Sequence, residues 1–82
     1  MHDAAADIVL FTRRGCHLCD EAARVLARHS LTFTSEDIDQ DPELQARYNE
    51  CVPVVMIDGK ERFRGRIDEL LLRRLLAGRE AR

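Results

Sequence analysis

Two runs of consecutive apolar residues, Ile8-Val9-Leu10-Phe11 and Val52-Pro53-Val54-Val55-Met56-Ile57, stand out from a chain that otherwise mixes polar and apolar positions. Short runs without alternation suit strands covered on both faces. The first, taken as Asp7 to Thr12 and closed by Arg13-Arg14-Gly15, predicts a central strand. From Leu18 the period changes. Leu18, Ala22, Val25, Leu26 and His29 recur at helical spacing, while Asp20, Glu21, Arg24 and Arg28 fall largely on the other side, which predicts an amphipathic helix that begins at the cysteines. Leu31 to Thr34 alternates like a strand and runs on to Ile38, where the apolar phase slips by one residue, so either both faces are partly covered or there is a bulge.

Asp41-Pro42 reads as an N-cap followed by proline at the first helical position, where its missing N–H costs nothing, and Leu44 and Tyr48 then share one face of a short helix. The second apolar run is a strand, and Asp58-Gly59 is a two-residue hairpin turn into an edge strand over Glu61-Arg62-Phe63-Arg64. Asp68 can cap a closing helix with a face of Ile67, Leu70, Leu71 and Leu75, Gly78 near its end and arginines in its last turns. The order is strand, helix, strand, helix, strand, strand, helix. A parallel pair joined by a helix and an antiparallel hairpin make a mixed four-stranded α/β sheet with three helices on its faces.

Length and charge narrow what such a sheet could serve. Eighty-two residues with 45% hydrophobic content make one domain, residues 1–82, with one core, and only about six residues at the start and four at the finish look frayed. There are no internal repeats. Charged residues form 34% of the chain and nearly cancel, to a net charge of -2, so no positive field gathers nucleic acid or an anionic membrane. No window approaches the about 18 apolar residues of a membrane span, and the first residues, MHDAAAD, have no apolar core of a secretory signal. A cytoplasmic protein is expected.

Three cysteines, an odd number, do not make the framework of a small secreted disulfide scaffold. Cys16 and Cys19 fall instead at the start of the first predicted helix. There the free N–H groups and the macrodipole favour a thiolate at Cys16, the form that attacks disulfides. Cys19, three residues on, lies on the same face one turn inside and can close a Cys16–Cys19 bridge. Arg13 and Arg14 add positive charge before the pair. His17 is expected as a neutral spacer rather than a general base, and Asp20 as a residue suited to a first helical turn rather than a proton acceptor for Cys19.

The segments FTRRGCHLC, CVPVV, DG and FRGRIDEL, in this order and over nearly the whole chain, resemble the glutaredoxin-like branch of the thioredoxin superfamily. The resemblance implies a thioredoxin-like fold with a cis Val52–Pro53 bond facing Cys16, and a Val52 backbone free to pair with an extended thiol peptide. It also implies contacts to glutathione carboxylates from Arg13 and from the turn Gly65 to Asp68. The chain departs from the common pattern with His17-Leu18 between the cysteines, where Pro-Tyr is usual, and with Arg64-Gly65 in place of Gly-Gly. Arg64 and Arg66 are further candidates to reach carboxylates. Cys51 stands where the family often has threonine, and is a third exchanging thiol, a site of regulatory oxidation, or an inert small residue.

The function implied is a monomeric thiol–disulfide oxidoreductase of redox homeostasis. It would reduce protein disulfides or glutathione mixed disulfides with no tightly bound cofactor, using glutathione as co-substrate or a reductase partner. Two other readings stay open at this point. One is a metal module using Cys16, Cys19 and Cys51 with His17 or a second subunit's ligand, or an iron–sulfur cluster shared between two chains; the other is a non-catalytic binding domain on the same fold.

Overall fold

The computed structural model describes residues 6–80. Its elements are β1 (Ile8–Thr12), α1 (His17–Arg28), β2 (Thr34–Asp37), a 3-10 turn (Ile38–Gln40), α2 (Pro42–Tyr48), β3 (Val54–Ile57), β4 (Lys60–Arg64) and α3 (Glu69–Glu80). They form one sheet in the order β2-β1-β3-β4, with β1 and β2 parallel and the other pairs antiparallel. This is the mixed four-stranded sheet the pattern predicts, in the thioredoxin-like arrangement the resemblance implies, and β1 is central.

The two apolar runs are explained by burial on both faces. Ile8, Leu10, Val55, Ile57 and Phe63 point to one side, where they pack with Ala22, Val25 and Leu26 of α1 and Leu72 of α3. Their neighbours in the strands, Phe11, Val54 and Met56, point to the other side and pack with Ile38, Leu44 and Tyr48. Period-two alternation therefore feeds two cores, one under α1 and α3 and one under α2. Phe11 and Tyr48 stack with ring centroids 4.9 Å apart, which seats α2 against the end of β1 nearest the cysteines.

Local chemistry sets several boundaries. The side chain of Asp41 accepts the Glu43 N–H at 2.9 Å with Pro42 next to it, as predicted for the start of α2. Asp58 (φ 52°) and Gly59 (φ 82°) both take left-handed backbone, the geometry of a type I′ hairpin turn, and the Asp58 carboxylate also accepts the Asp7 N–H at 3.0 Å. In the β3–β4 pair the register shifts between Val55 and Met56, so that Arg62 is an extra residue on β4.

Three expectations are corrected. β2 is only Thr34–Asp37; Leu31 and Phe33 precede it as irregular chain, with Ser30 left-handed (φ 60°) and the Leu31 N–H returning to the Leu26 carbonyl. The phase slip needs no bulge, because Phe33 packs on one core and Ile38 on the other and their separation is odd. The inward stripe of α3 is the buried Leu72 with the half-buried Leu75 and Leu76, and Ile67 just before the helix packs on the same core, whereas Leu70 and Leu71 are 59% and 41% exposed. Asp68 accepts the N–H groups of Leu70 and Leu71, each at 3.1 Å, which starts the helix at Glu69, and packing into the core cluster turns Leu72 inward. Finally, of the ends expected to fray, residues 1–5 and 81–82 lie outside the described residues, while Ala6 packs on the core and α3 continues to Glu80.

Candidate active site

Between β1 and α1 the chain turns through Gly15, whose left-handed φ of 77° suits a residue without a side chain. Cys16 follows as the N-cap of α1, with extended backbone (φ -99°, ψ 111°), and its sulfur accepts the N–H of Cys19 at 3.1 Å. A sulfur in this place is bathed by the unpaired N–H groups of a helix start, which stabilise it when it carries charge. Cys16 and Cys19 are joined as a disulfide, with Cα atoms 5.2 Å apart. Their exposure differs sharply: Cys16 is half-buried and reachable, whereas Cys19 is 1% exposed against the core. The outer sulfur is therefore the one a large substrate can meet.

The Val52–Pro53 bond is cis. Pro53 is fully buried and Val52 half-buried, and the Pro53 carbonyl accepts the N–H of Gly65 at 2.8 Å, which ties the end of β4 to the proline loop. Just before it, the half-buried Cys51 donates its backbone N–H to the Tyr48 carbonyl at 2.9 Å, and its thiol lies 3.4 Å from Nη1 of Arg64. Arg64 is also held by Glu61, at 2.8 to 2.9 Å; that carboxylate first, and the nearby Cys51 sulfur second, raise the pKa of the guanidinium. A shallow groove lined by Leu18, Ala22, Val25, Gly65 and Ile67 runs beside the first turns of α1, with Glu21 and Arg66 3.8 Å apart on its rim.

Arg13 is not free in solution but forks onto neighbours distant in sequence. Its Nε and Nη2 donate to the two carboxylate oxygens of Asp39 at 3.0 and 2.9 Å, and its Nη1 and Nη2 donate to the carbonyl and Oδ1 of Asn49 at 2.9 and 2.7 Å. The hydrogen bond from Arg13 is the main cause that holds the Asp39 carboxyl below its ordinary range, and Gln45 adds a further bond at 2.9 Å. Asp39 and Asn49 carried no sequence signal, since each is an ordinary polar residue outside any motif. Gly65 and Asp68 are placed at the turn before α3, where Asp68 caps the helix. Arg14, His17 and Asp20 are exposed around the pair. Farther off, Glu69 joins the start of α3 to the end of α1 through His29 at 2.8 Å and Arg28 at 2.9 Å.

Among the described residues no three His, Cys, Asp or Glu side chains come together as metal ligands, so the reading of Cys16, Cys19 and Cys51 as a metal site within one chain has no geometric support. Among the same residues, no helix is long and apolar enough to cross a membrane.

The model of the family described as a glutaredoxin-like domain (DUF836) matches residues 7–77. The chain belongs to that family. Among its relatives, an uncharacterised protein of Mycobacterium tuberculosis is 37% identical, covering 80% of this chain and 77% of its own length. A glutaredoxin-like protein of Dictyostelium discoideum is 40% identical, covering 77% of this chain and 68% of its own length. Among solved structures, a protein from X. campestris is 33% identical with a TM-score of 0.75, over 87% of this chain and 96% of the other. The holo form of glutaredoxin C1 from Populus tremula x tremuloides is 21% identical with a TM-score of 0.68, over 96% of this chain and 83% of the other, and so shares the fold. The match of this glutaredoxin-like domain to its family begins before β1 and ends inside α3, so it takes in the cysteine pair, the cis proline and the Gly65–Asp68 turn together.

Proposed function

We propose that this domain is a dithiol thiol–disulfide oxidoreductase. The observation that carries the reading is the asymmetry of the pair: a reachable sulfur capping a helix, joined to a buried sulfur one turn inside it. In the reduced protein the Cys16 thiolate attacks a substrate disulfide, R–S–S–R′, forming Cys16–S–S–R and releasing R′S⁻, which takes a proton. The Cys19 thiol, losing its proton, then attacks the Cys16 sulfur and expels RS⁻. The substrate has gained two electrons and the domain holds the Cys16–Cys19 disulfide. A donor with two thiols returns those electrons and leaves oxidised, either as a protein disulfide or as glutathione disulfide from two glutathione molecules. The Val52 backbone beside the cis Pro53 is the edge along which an extended substrate chain would pair.

The role that fits this chemistry is reduction of protein disulfides in redox homeostasis of a reducing, cytoplasmic compartment. The test is turnover of a disulfide-linked peptide by the domain and two variants. Cys16→Ser should abolish turnover, and Cys19→Ser should stop after the first step and hold the peptide on Cys16 as a mixed disulfide. Full activity in Cys16→Ser would reject the mechanism.

A further inference from the structure

Glutathione brings to an exchange site two carboxylates, an ammonium group and little apolar surface. A site that selects it therefore holds polar groups beside the attacking sulfur that are not already spent. In this domain the three groups that the resemblance offers to glutathione are spent within the chain. Arg13 makes four hydrogen bonds, to both oxygens of Asp39 and to the carbonyl and Oδ1 of Asn49, which leaves one N–H of its fork. The Gly65 N–H is given to the Pro53 carbonyl, and Oδ1 of Asp68 takes the N–H groups of Leu70 and Leu71. Arg64, the next cation along, is held by Glu61. A guanidinium already forked onto a carboxylate gains little from a second one, because the newcomer must displace partners of equal strength.

The Arg13 clamp also has a mechanical consequence. Arg13 leads into the loop of Cys16, Asn49 closes α2 just before Cys51, Val52 and Pro53, and Asp39 sits in the 3-10 turn after β2. One guanidinium thus ties together the two loops that carry the exchanging sulfur and the cis proline. We propose that Arg13 is a positioning residue, locked on Asp39 and Asn49 so that it sets the Cys16 loop against the Val52–Pro53 loop and offers no dock to the carboxylate of glutathione. The site therefore exchanges with protein disulfides and is recharged by a protein dithiol. This rests on the reading of Cys16 and Cys19 as the exchange pair.

Steady-state kinetics on two substrates test it: a pair of peptides joined by a disulfide, and one of those peptides joined to glutathione, both with dithiothreitol as reductant. Arg13→Gln should lower kcat on both substrates by a similar factor and leave the ratio of their KM values unchanged. Asp39→Asn, an isosteric change, unlocks the guanidinium and should lower KM for the glutathione-linked peptide by about tenfold, the scale of one charge-assisted hydrogen bond. That gain should vanish in the Arg13→Gln, Asp39→Asn double variant. Arg13→Lys keeps the charge but loses the fork, so it should copy Arg13→Gln and not the parent. A selective rise of tenfold or more in KM for the glutathione-linked peptide in Arg13→Gln would overturn the inference, as would an Asp39→Asn variant with parental constants or an Arg13→Lys variant with parental kcat. Absence of turnover on both substrates by the parent would instead overturn the exchange mechanism itself.

Discussion

Leu72 is the residue on which the seating of α3 depends most, and replacing it with alanine gives a measurable contrast with its neighbours. It is 0% exposed and packed in the core cluster with Leu26, Val55 and Phe63, whereas Leu70 is 59% exposed. Leu72→Ala removes three buried carbons and leaves a space that close-packed neighbours fill only in part, a change that costs about 2–5 kcal/mol. Leu70→Ala gives up only part of a transfer term and opens no cavity, so it should cost less than about 1 kcal/mol. For a domain of this length each kcal/mol shifts the melting temperature by about 4–8 °C, so Leu72→Ala should melt at least about 8 °C below the parent and Leu70→Ala within a few degrees of it. Thermal and urea unfolding followed by circular dichroism, with all samples in the same thiol state, would measure both. A Leu70→Ala or Leu71→Ala variant as damaging as Leu72→Ala would refute the helix phase and with it the packing of α3 on the sheet.

Other expectations follow from the caps and the ion pairs. Asp68→Ala removes the acceptor for the N–H groups of Leu70 and Leu71 in the first turn of α3 and should cost about 1 kcal/mol in urea unfolding, with Asp68→Asn costing less. Glu69 titrates below its ordinary range, first through the hydrogen bond from His29 and then through that from Arg28. Because its folded value is depressed, the stability it contributes is present above the ordinary glutamate range and is lost as pH falls through its folded value. Glu69→Gln should therefore flatten the acid side of a plot of unfolding free energy against pH, and a variant with the parental acid slope would remove this pair from the account.

Much of the fold was legible because several of its boundaries are set locally. Asp41-Pro42 and Asp58-Gly59 carry their turn geometry in two residues each, and the runs at Ile8 and Val54 announce burial on both faces. The errors fall where tertiary packing chooses between local options. Leu70, Leu71 and Leu72 are three consecutive leucines, and it is the packing of Leu72 into the core cluster that leaves Leu70 and Leu71 outward. Leu31 and Phe33 have strand composition, yet the left-handed Ser30 and the bond back to Leu26 keep them out of the ladder. At the site, the cysteine pair was readable from its place between a strand and a helix, while the cis bond at Val52–Pro53 came from likeness to a family. The Arg13 clamp was not readable at all, because Asp39 and Asn49 lie 26 and 36 residues away and no spacing rule links them.

The proposed function depends on Cys16 and Cys19 being the pair that cycles, with Cys51 beside Arg64 outside the cycle. The direct measurement is intact mass and peptide mapping of the domain equilibrated across a series of dithiothreitol redox buffers. One two-electron transition is expected, with Cys16 linked to Cys19 on its oxidised side and Cys51 free to alkylation throughout. A linkage that includes Cys51, or a domain that stays fully reduced in buffers that oxidise ordinary dithiols, would contradict it.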